Sequence, residues 1–267
     1  MKVYVLDIGW LECDKNSMVA MSVTATKSNK SPKCEWIKIP VMAILIDHPD
    51  GKILYDVGCN PKAMEGYWPE WLREAFPFYK TDEQDLQKQL ALCDTKPEDI
   101  KTVILSHMHV DHAGYLDLFK HADVYVPKAD YEHALTLVHL CPDSAKHGVY
   151  IKEDLEVPVK QFHLVEEDFY IADGIEIISL PGHAPGVLGI VVHLEREGTI
   201  IFPQDCIYTS ENYGPPAKAS GIVFDSIAFF NSIEKVRKLQ KKYNAKVMYA
   251  HDMEFFKTLK HAPEYYE

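Results

Sequence analysis

"SHMHVDHAG", Ser106–Gly114, directly follows the apolar run "TVIL" and packs three histidines and one aspartate into six residues. The apolar run reads as a buried strand and "HAGYLDLF" as the start of a helix, leaving His107, Met108, His109, Val110 and Asp111 on the connecting loop. His107 and His109 stand two apart, so in an extended segment their imidazoles leave the same side and can chelate one ion. Asp111 and His112 are adjacent where the backbone turns, which can aim them toward a second ion beside the first. Four ligands from one loop do not satisfy two cations, so further ligands must come from elsewhere.

The rest of the chain offers them at strand ends. "ISLPGHAPG" puts His183 in a Pro/Gly turn after a strand, "IIFPQD" ends on Asp205, and "VMYAHD" carries His251. Loops at the carboxyl ends of strands are where α/β proteins build sites. Each of these three residues is a weak signal alone, because a lone histidine is more often a core or surface residue than a ligand. Cys206 follows Asp205, but adjacent side chains in a strand point to opposite faces, so it is expected in the core rather than at the metal.

The chain has 267 residues, 47% hydrophobic and 25% charged, enough to build a large core. Its formal net charge is −12, and no basic stripe is present, which argues against a nucleic-acid partner. No signal peptide is visible, and no apolar run is long enough to span a bilayer. The six cysteines are scattered without a CxxC pair, which fits reduced thiols in a cytoplasmic protein.

Short apolar runs such as "KVYVLDIG", "VMAILID", "KILYDVG", "GIVVHL" and "TIIFPQD" alternate with helical patterns. "TDEQDLQKQLALC" opens with Thr81 and Gln84 at capping-box spacing and sets Leu86, Leu90 and Cys93 along one face. In "DSIAFFNSIEKVRKLQKKYN", Asp225 is the expected N-cap, and Phe229, Ile233, Val236, Leu239 and Tyr243 form an apolar stripe. Interleaved strands and helices indicate an α/β layered domain, and near-continuous apolar strands indicate sheets covered on their outer faces. No Pro/Gly/Ser linker divides the chain, so residues 1–267 read as a single domain.

These motifs resemble the metallo-β-lactamase superfamily along nearly the whole chain. "KILYDVG" resembles the strand carrying its structural aspartate, here Asp56; "LPGHAPG" resembles the third-histidine turn, "FPQD" the bridging-aspartate strand and "YAHD" the final histidine. The resemblance implies an αββα sandwich of two mixed β-sheets with helices on the outer faces. It further implies that His107, His109 and His183 hold one metal, that Asp111, His112 and His251 hold another, and that Asp205 bridges them. Nitrogen and oxygen ligands of this kind favour zinc, although manganese, iron or cobalt can occupy such a site. Coordination lowers the pKa of water from about 15.7 to about 7, so a bridging hydroxide can persist at neutral pH and attack a carbonyl or phosphoryl centre.

Within the superfamily the chain is most similar to the N-acyl homoserine lactonases. "DCIYTSENYGPPAKASG" stands where that family carries an Asp-x-x-Tyr-Thr segment. The resemblance implies a metal-dependent hydrolase that opens the lactone ring of N-acyl homoserine lactones. Tyr208 would then stabilise the developing oxyanion, and Asp111 would protonate the leaving alkoxide. The alternatives are a broader lactonase, esterase or thioesterase, a di-iron redox protein, and a non-catalytic lactone binder. The implied partner is a small acyl lactone, with neither nucleic acid nor membrane. Two departures stand out: Val187 replaces a histidine common in relatives, and Val110 lies where some lactonases carry phenylalanine. Finally, "GYWPEWLREAFPFY", Gly66–Tyr79, is read as a flap over the acyl channel, with Trp68 and Trp71 beside Val110 as substrate contacts. Packing of an internal loop or a homodimer contact is its alternative.

Overall fold

"VMAILI" forms the middle of strand β2 (Trp36–His48), and every residue in it is buried. A strand shows side chains to both faces, so a run without polar interruption must be covered on both sides. That is the arrangement found. The structure, a computed structural model describing residues 1–267, contains two mixed sheets.

The first sheet joins β2 to β1 (Lys2–Asp14), β3 (Gly51–Tyr55), β4 (Phe78–Tyr79), β5 (Ile100–Ile104), β6 (Asp123–Pro127) and β7 (Gln161–Val165). Their order is β4-β1-β2-β3-β5-β6-β7. It is antiparallel from β4 to β3 and parallel from β3 to β7. The second sheet contains β8 (Phe169–Ala172), β9 (Ile175–Ser179), β10 (Leu188–Leu194), β11 (Gly198–Phe202) and β12 (Lys246–Val247), in the order β12-β11-β10-β9-β8. There only β11 and β12 run parallel.

Three apolar clusters define the layers. Ile44, Ile46, Tyr55 and Ile104 of the first sheet meet Ile177, Ile190, Val192 and Phe202 of the second, forming the core between the sheets. On the far side of the first sheet, Leu45, Leu54 and Val124 pack with Leu86, Leu90, Ala134 and Val138 from helices Leu86–Ala91 and Lys128–Leu140. On the far side of the second, Ile178, Val191 and Ile201 pack against Phe229, Ile233 and Val236 of helix Ser226–Tyr243. The result is the αββα sandwich. No helix is long and apolar enough to cross a membrane.

Of the two helix starts read from the sequence, Asp225 is found as the N-cap, whereas the helix expected from Thr81 begins at Leu86 with Asp85 as its N-cap. Thr81 and Gln84 close a capping box around a short 3₁₀ turn, and Asp225 accepts from the backbone N–H groups of Ile227 and Ala228. "HAGYLDLF" is different: only one 3₁₀ turn, Leu116–Phe119, forms there. The Gly114 N–H donates to Gly58 O at 2.8 Å, and Ala113 bridges to Gly58, so this backbone is tied across the sheet end instead of winding into a helix. A Cβ on Gly114 would lie 2.4 Å from the Asn60 nitrogen, which explains the glycine. Helix Lys128–Leu140 carries no capping side chain, and the motifs above do not mark it.

Candidate metal centre

The loops that follow β3, β5, β9, β11 and β12 converge where the two sheets meet, and they carry Asp56, the 106–112 segment, His183, Asp205 and His251. The Ser106–His112 loop is shaped chiefly by Asp56. This fully buried aspartate has φ of 60°, outside the usual range for a residue other than glycine. Its Oδ1 accepts from the Ser106 N–H at 2.6 Å, and its Oδ2 accepts from Ser106 Oγ at 2.9 Å. Oδ2 also accepts from His112 Nδ1 at 2.8 Å and from the Gln204 amide. Gln204, itself at φ 45°, thereby ties the Asp205 turn to the histidine loop.

Each of four histidines directs one ring nitrogen outward to a fixed partner. His112 Nδ1 donates to Asp56, His251 Nδ1 to Pro40 O at 3.1 Å, and His183 Nδ1 to Ile222 O at 3.0 Å. His107 Nδ1 lies 3.0 Å from Ser106 Oγ, whose own proton goes to Asp56. An outward proton leaves the inward nitrogen with a lone pair, the tautomer a metal ligand needs. These inward nitrogens then face one another: His183 Nε2 is 3.2 Å from His107 Nε2 and 2.9 Å from His109 Nδ1.

The inward atoms form two groups, His107–His109–His183–Asp205 and Asp111–His112–His251, each with ligand atoms within 4.8 Å of one another. Asp205 reaches both. Its Oδ2 is 3.3 Å from His183 Nε2 and 3.7 Å from His107 Nε2. Its Oδ1 is 3.3 Å from His112 Nε2 and 3.2 Å from His251 Nε2. Asp111 Oδ2 completes the second group at 3.4 Å from His112 Nε2 and 3.6 Å from His251 Nε2. Buried His112 Nε2 and Asp205 Oδ1 have no hydrogen-bond partner in the protein. Opposed lone pairs and orphaned buried acceptors are costly in a protein interior. The donor set therefore fits two divalent cations.

Electrostatics divides the groups. Burial, reinforced by neighbouring imidazoles, holds His107 and His109 far below the ordinary histidine range, and burial also lowers His183. Burial pushes His112 and His251 down too, but Asp205 and Asp111 outweigh it at both, with Asp56 adding to His112, and both end raised. Burial pushes the Asp111 carboxyl up, yet His112 and His251 overcome this and hold it at about 2. Asp205 is likewise held well below the usual carboxylate range, by His112, His251 and His183 against burial. The carboxylates thus favour the charged form of the second group's imidazoles, whereas burial favours the neutral, ligating form in the first group.

Tyr208 is buried beside this cluster, its Oη 2.9 Å from His183 Nδ1 and its ring edge-on to His183 and His251. The pocket over the two groups is lined by Leu11, Met18, Ile39, Leu72, Phe76 and Val110, together with Asp111 and Tyr208. Trp68 and Trp71 are not among its lining residues. Trp68 is buried in the outer core near Phe78, and Trp71, in the short helix Glu70–Ala75, is 37% exposed. Leu72 and Phe76 stand four residues apart, one turn of the chain, and so share a face, and through them the "GYWPEWLREAFPFY" stretch does reach the pocket. Cys206 is fully buried in the core behind the second sheet, although Gln204–Cys206 is a 3₁₀ turn and not strand. Ser106, Gln204, Asp130 and Tyr150 carry no spacing signal and were invisible in the sequence.

The metallo-beta-lactamase superfamily model matches residues 37–213. The N-acyl homoserine lactonase AiiB of Rhizobium rhizogenes is 32% identical, over 97% of this chain and 96% of that protein. The N-acyl homoserine lactonase AttM of Azorhizobium caulinodans is 29% identical over 100% and 98%. A solved N-acyl homoserine lactone hydrolase, with N-hexanoyl-L-homoserine bound at its catalytic metal centre, superposes with a TM-score of 0.83. It is 25% identical, with 99% of this chain and 98% of that one covered.

Proposed function

From a chain that belongs to the metallo-β-lactamase superfamily, and within it to the N-acyl homoserine lactonases, we infer an enzyme that hydrolyses the lactone ring of N-acyl homoserine lactones. The observation that carries the reading is the two-group donor set spanned by Asp205, opening into an apolar pocket beside a buried phenol. We read residues 1–267 as one domain with this single centre. We assign His107, His109, His183 and Asp205 to one cation, and Asp111, His112, His251 and the other Asp205 oxygen to its neighbour. Zinc is the proposed metal, because imidazole-rich sites with a few carboxylates suit it. The six free cysteines suit a reducing, cytoplasmic setting.

Divalent cations in such a site supply Lewis acidity and lower the pKa of coordinated water to about 7. The protein's own groups do the rest. Leu72, Phe76 and Val110 offer apolar contact to the acyl chain and keep water from the lactone. Burial, together with Asp205 and Asp111, pushes the Tyr208 hydroxyl far above its ordinary range, so it remains a proton donor at neutral pH. It donates to the lactone carbonyl oxygen as negative charge develops there. Asp111, ionised and at the pocket wall, accepts the proton released as water oxygen bonds to the carbonyl carbon. As the ring C–O bond breaks, Asp111 returns that proton to the departing oxygen, leaving an alcohol and a carboxylic acid whose remaining water-derived proton dissociates at neutral pH. Ring opening therefore releases one net proton to solution.

The test is proton release from short- and long-chain N-acyl homoserine lactones by zinc-loaded protein, with D205N as control. Acid production that disappears in D205N is expected. A protein verified to hold two metals that releases no acid from any of these lactones overturns the assignment.

A further inference from the structure

Asp130 is a fully buried carboxylate that is held by hydrogen bonds and forms no salt bridge. It lies in the first turn of helix Lys128–Leu140, yet it does not cap that helix. Its two hydrogen bonds run elsewhere. Oδ2 accepts from the Met108 N–H at 2.7 Å, and Oδ1 accepts from Tyr150 Oη at 2.6 Å. Met108 is the residue between His107 and His109. Tyr150, itself buried, sets its ring edge-on to His109, with centroids 4.9 Å apart and planes at 68°. His109 is the histidine of the cluster for which no outward ring partner in protein is found; Tyr150 occupies its flank instead.

We propose that Asp130 and Tyr150 are positioning residues for the first metal group. The carboxylate pins the backbone between the two histidines, and the phenol it holds fixes the plane of the His109 imidazole. Two further contacts make the clamp rigid. The Val110 N–H donates to Val149 O at 3.1 Å, joining the histidine loop to the segment that carries Tyr150. On the opposite side, Gly186 packs against the helix start, where a Cβ would lie 2.9 Å from Pro127 Cβ. The helix start is thus wedged between the 106–112 loop and the His183 loop, and Asp130 couples their spacing. Burying an uncompensated carboxylate is expensive, and burial pushes this one up to about 7. A neutral side chain of similar shape would hold the helix more cheaply. Positive charge in the adjacent centre gives the carboxylate a reason to be there.

This inference rests on the metal-centre reading, and metal affinity tests it separately from hydrolysis. The measurements are chelator competition for each ion, the visible spectrum of the cobalt-substituted protein, and the kcat and KM of the zinc form. Loss of outer hydrogen bonds to metal ligands commonly weakens affinity by about 10–100-fold, so D130A is expected to fall in that range with an altered cobalt spectrum. D130N keeps the shape and an acceptor for Met108, and should recover much of the affinity. Y150F retains the ring against His109 and should lose less than Y150A. At saturating metal, kcat should fall more than KM rises. Wild-type affinity and an unchanged cobalt spectrum in D130A overturn the proposal, even with a lower Tm, since that pattern means the carboxylate only supports the helix. If D130A does not fold, Y150A decides, because it removes the ring set against His109: an affinity within twofold of wild type and an unchanged cobalt spectrum overturn the proposal. A wild-type protein that binds two metals but opens no lactone would remove the proposed function and leave this test intact.

Discussion

Replacing Asp56 with asparagine changes one atom of a carboxylate that touches no substrate, yet it should disable the second metal group. The Oδ1 side must remain oxygen, because the Ser106 N–H cannot turn away. The new amide NH₂ therefore faces the donors now served by Oδ2: Ser106 Oγ, His112 Nδ1 and the Gln204 amide. The hydroxyl can rotate and the Gln204 amide can flip. His112 can adapt only by accepting at Nδ1, which moves its proton to Nε2, the nitrogen that faces Asp111 and Asp205. A ligand becomes a donor, as in other sites where a carboxylate fixes a histidine tautomer. Hydrogen bonds to a charged group contribute roughly 1.5–3 kcal/mol each. With rotation and flipping recovering part, the metal-free protein should lose about 3 kcal/mol. For a chain of this size that is on the order of 6–12 °C in Tm. Affinity for one of the two ions should fall at least about 10–100-fold. Calorimetry of the metal-free forms and chelator competition of the loaded ones give both quantities. A D56N protein that holds two metals with wild-type affinity would refute the tautomer argument, whatever its Tm.

Other substitutions separate the remaining roles. Y208F should bind both metals normally and lose about 10–100-fold in kcat, since a preorganised donor of this kind is worth a few kcal/mol; a kcat within twofold of wild type would remove Tyr208 from catalysis. F76A should raise KM for long-chain lactones more than for short ones, whereas W71A should leave both nearly unchanged, and equal effects of F76A on both lengths would argue against acyl contact. On acidification, protons compete first for His112 and His251, whose pKa values are raised, and later for His107 and His109, whose values are lowered. The Asp111–His112–His251 ion should thus leave at higher pH than its neighbour, in two resolved steps of metal release. A single step shared by both ions would contradict that division.

The layered fold and the clustering of the candidate donors were legible in the sequence for different reasons. Apolar runs such as "VMAILI" imply sheets covered on both faces, because period-two geometry leaves no other place for the side chains. Candidate donors were visible where chemistry concentrates them, in "HMHVDH", and by resemblance at His183, Asp205 and His251, and the fold brings these side chains together. The supporting residues could not be seen. Asp130 lies 22 residues beyond Met108, and Gln204 lies 148 beyond Asp56; pairings at such separations exist only after the sheets pack. The aromatic stretch failed at finer scale. Ring size suggested Trp68 and Trp71, but the helix phase turns Leu72 and Phe76 toward the pocket.

The ligands are divided between the two sheets, with the 106–112 loop on one and His183, Asp205 and His251 on the other. No half of the sandwich can assemble a complete site alone, so ion capture belongs to the end of maturation and not to its beginning. The inter-sheet core of Ile, Val and Phe side chains joins the halves through apolar contacts that include none of the candidate ligands. At the junction of the halves, Asp205 and Asp111 raise the pKa values of His112 and His251, which opposes repulsion between the converging carboxylates. Protein made under metal starvation is therefore expected to be folded and to gain activity when zinc is added after purification; apoprotein that is unfolded by circular dichroism would contradict this.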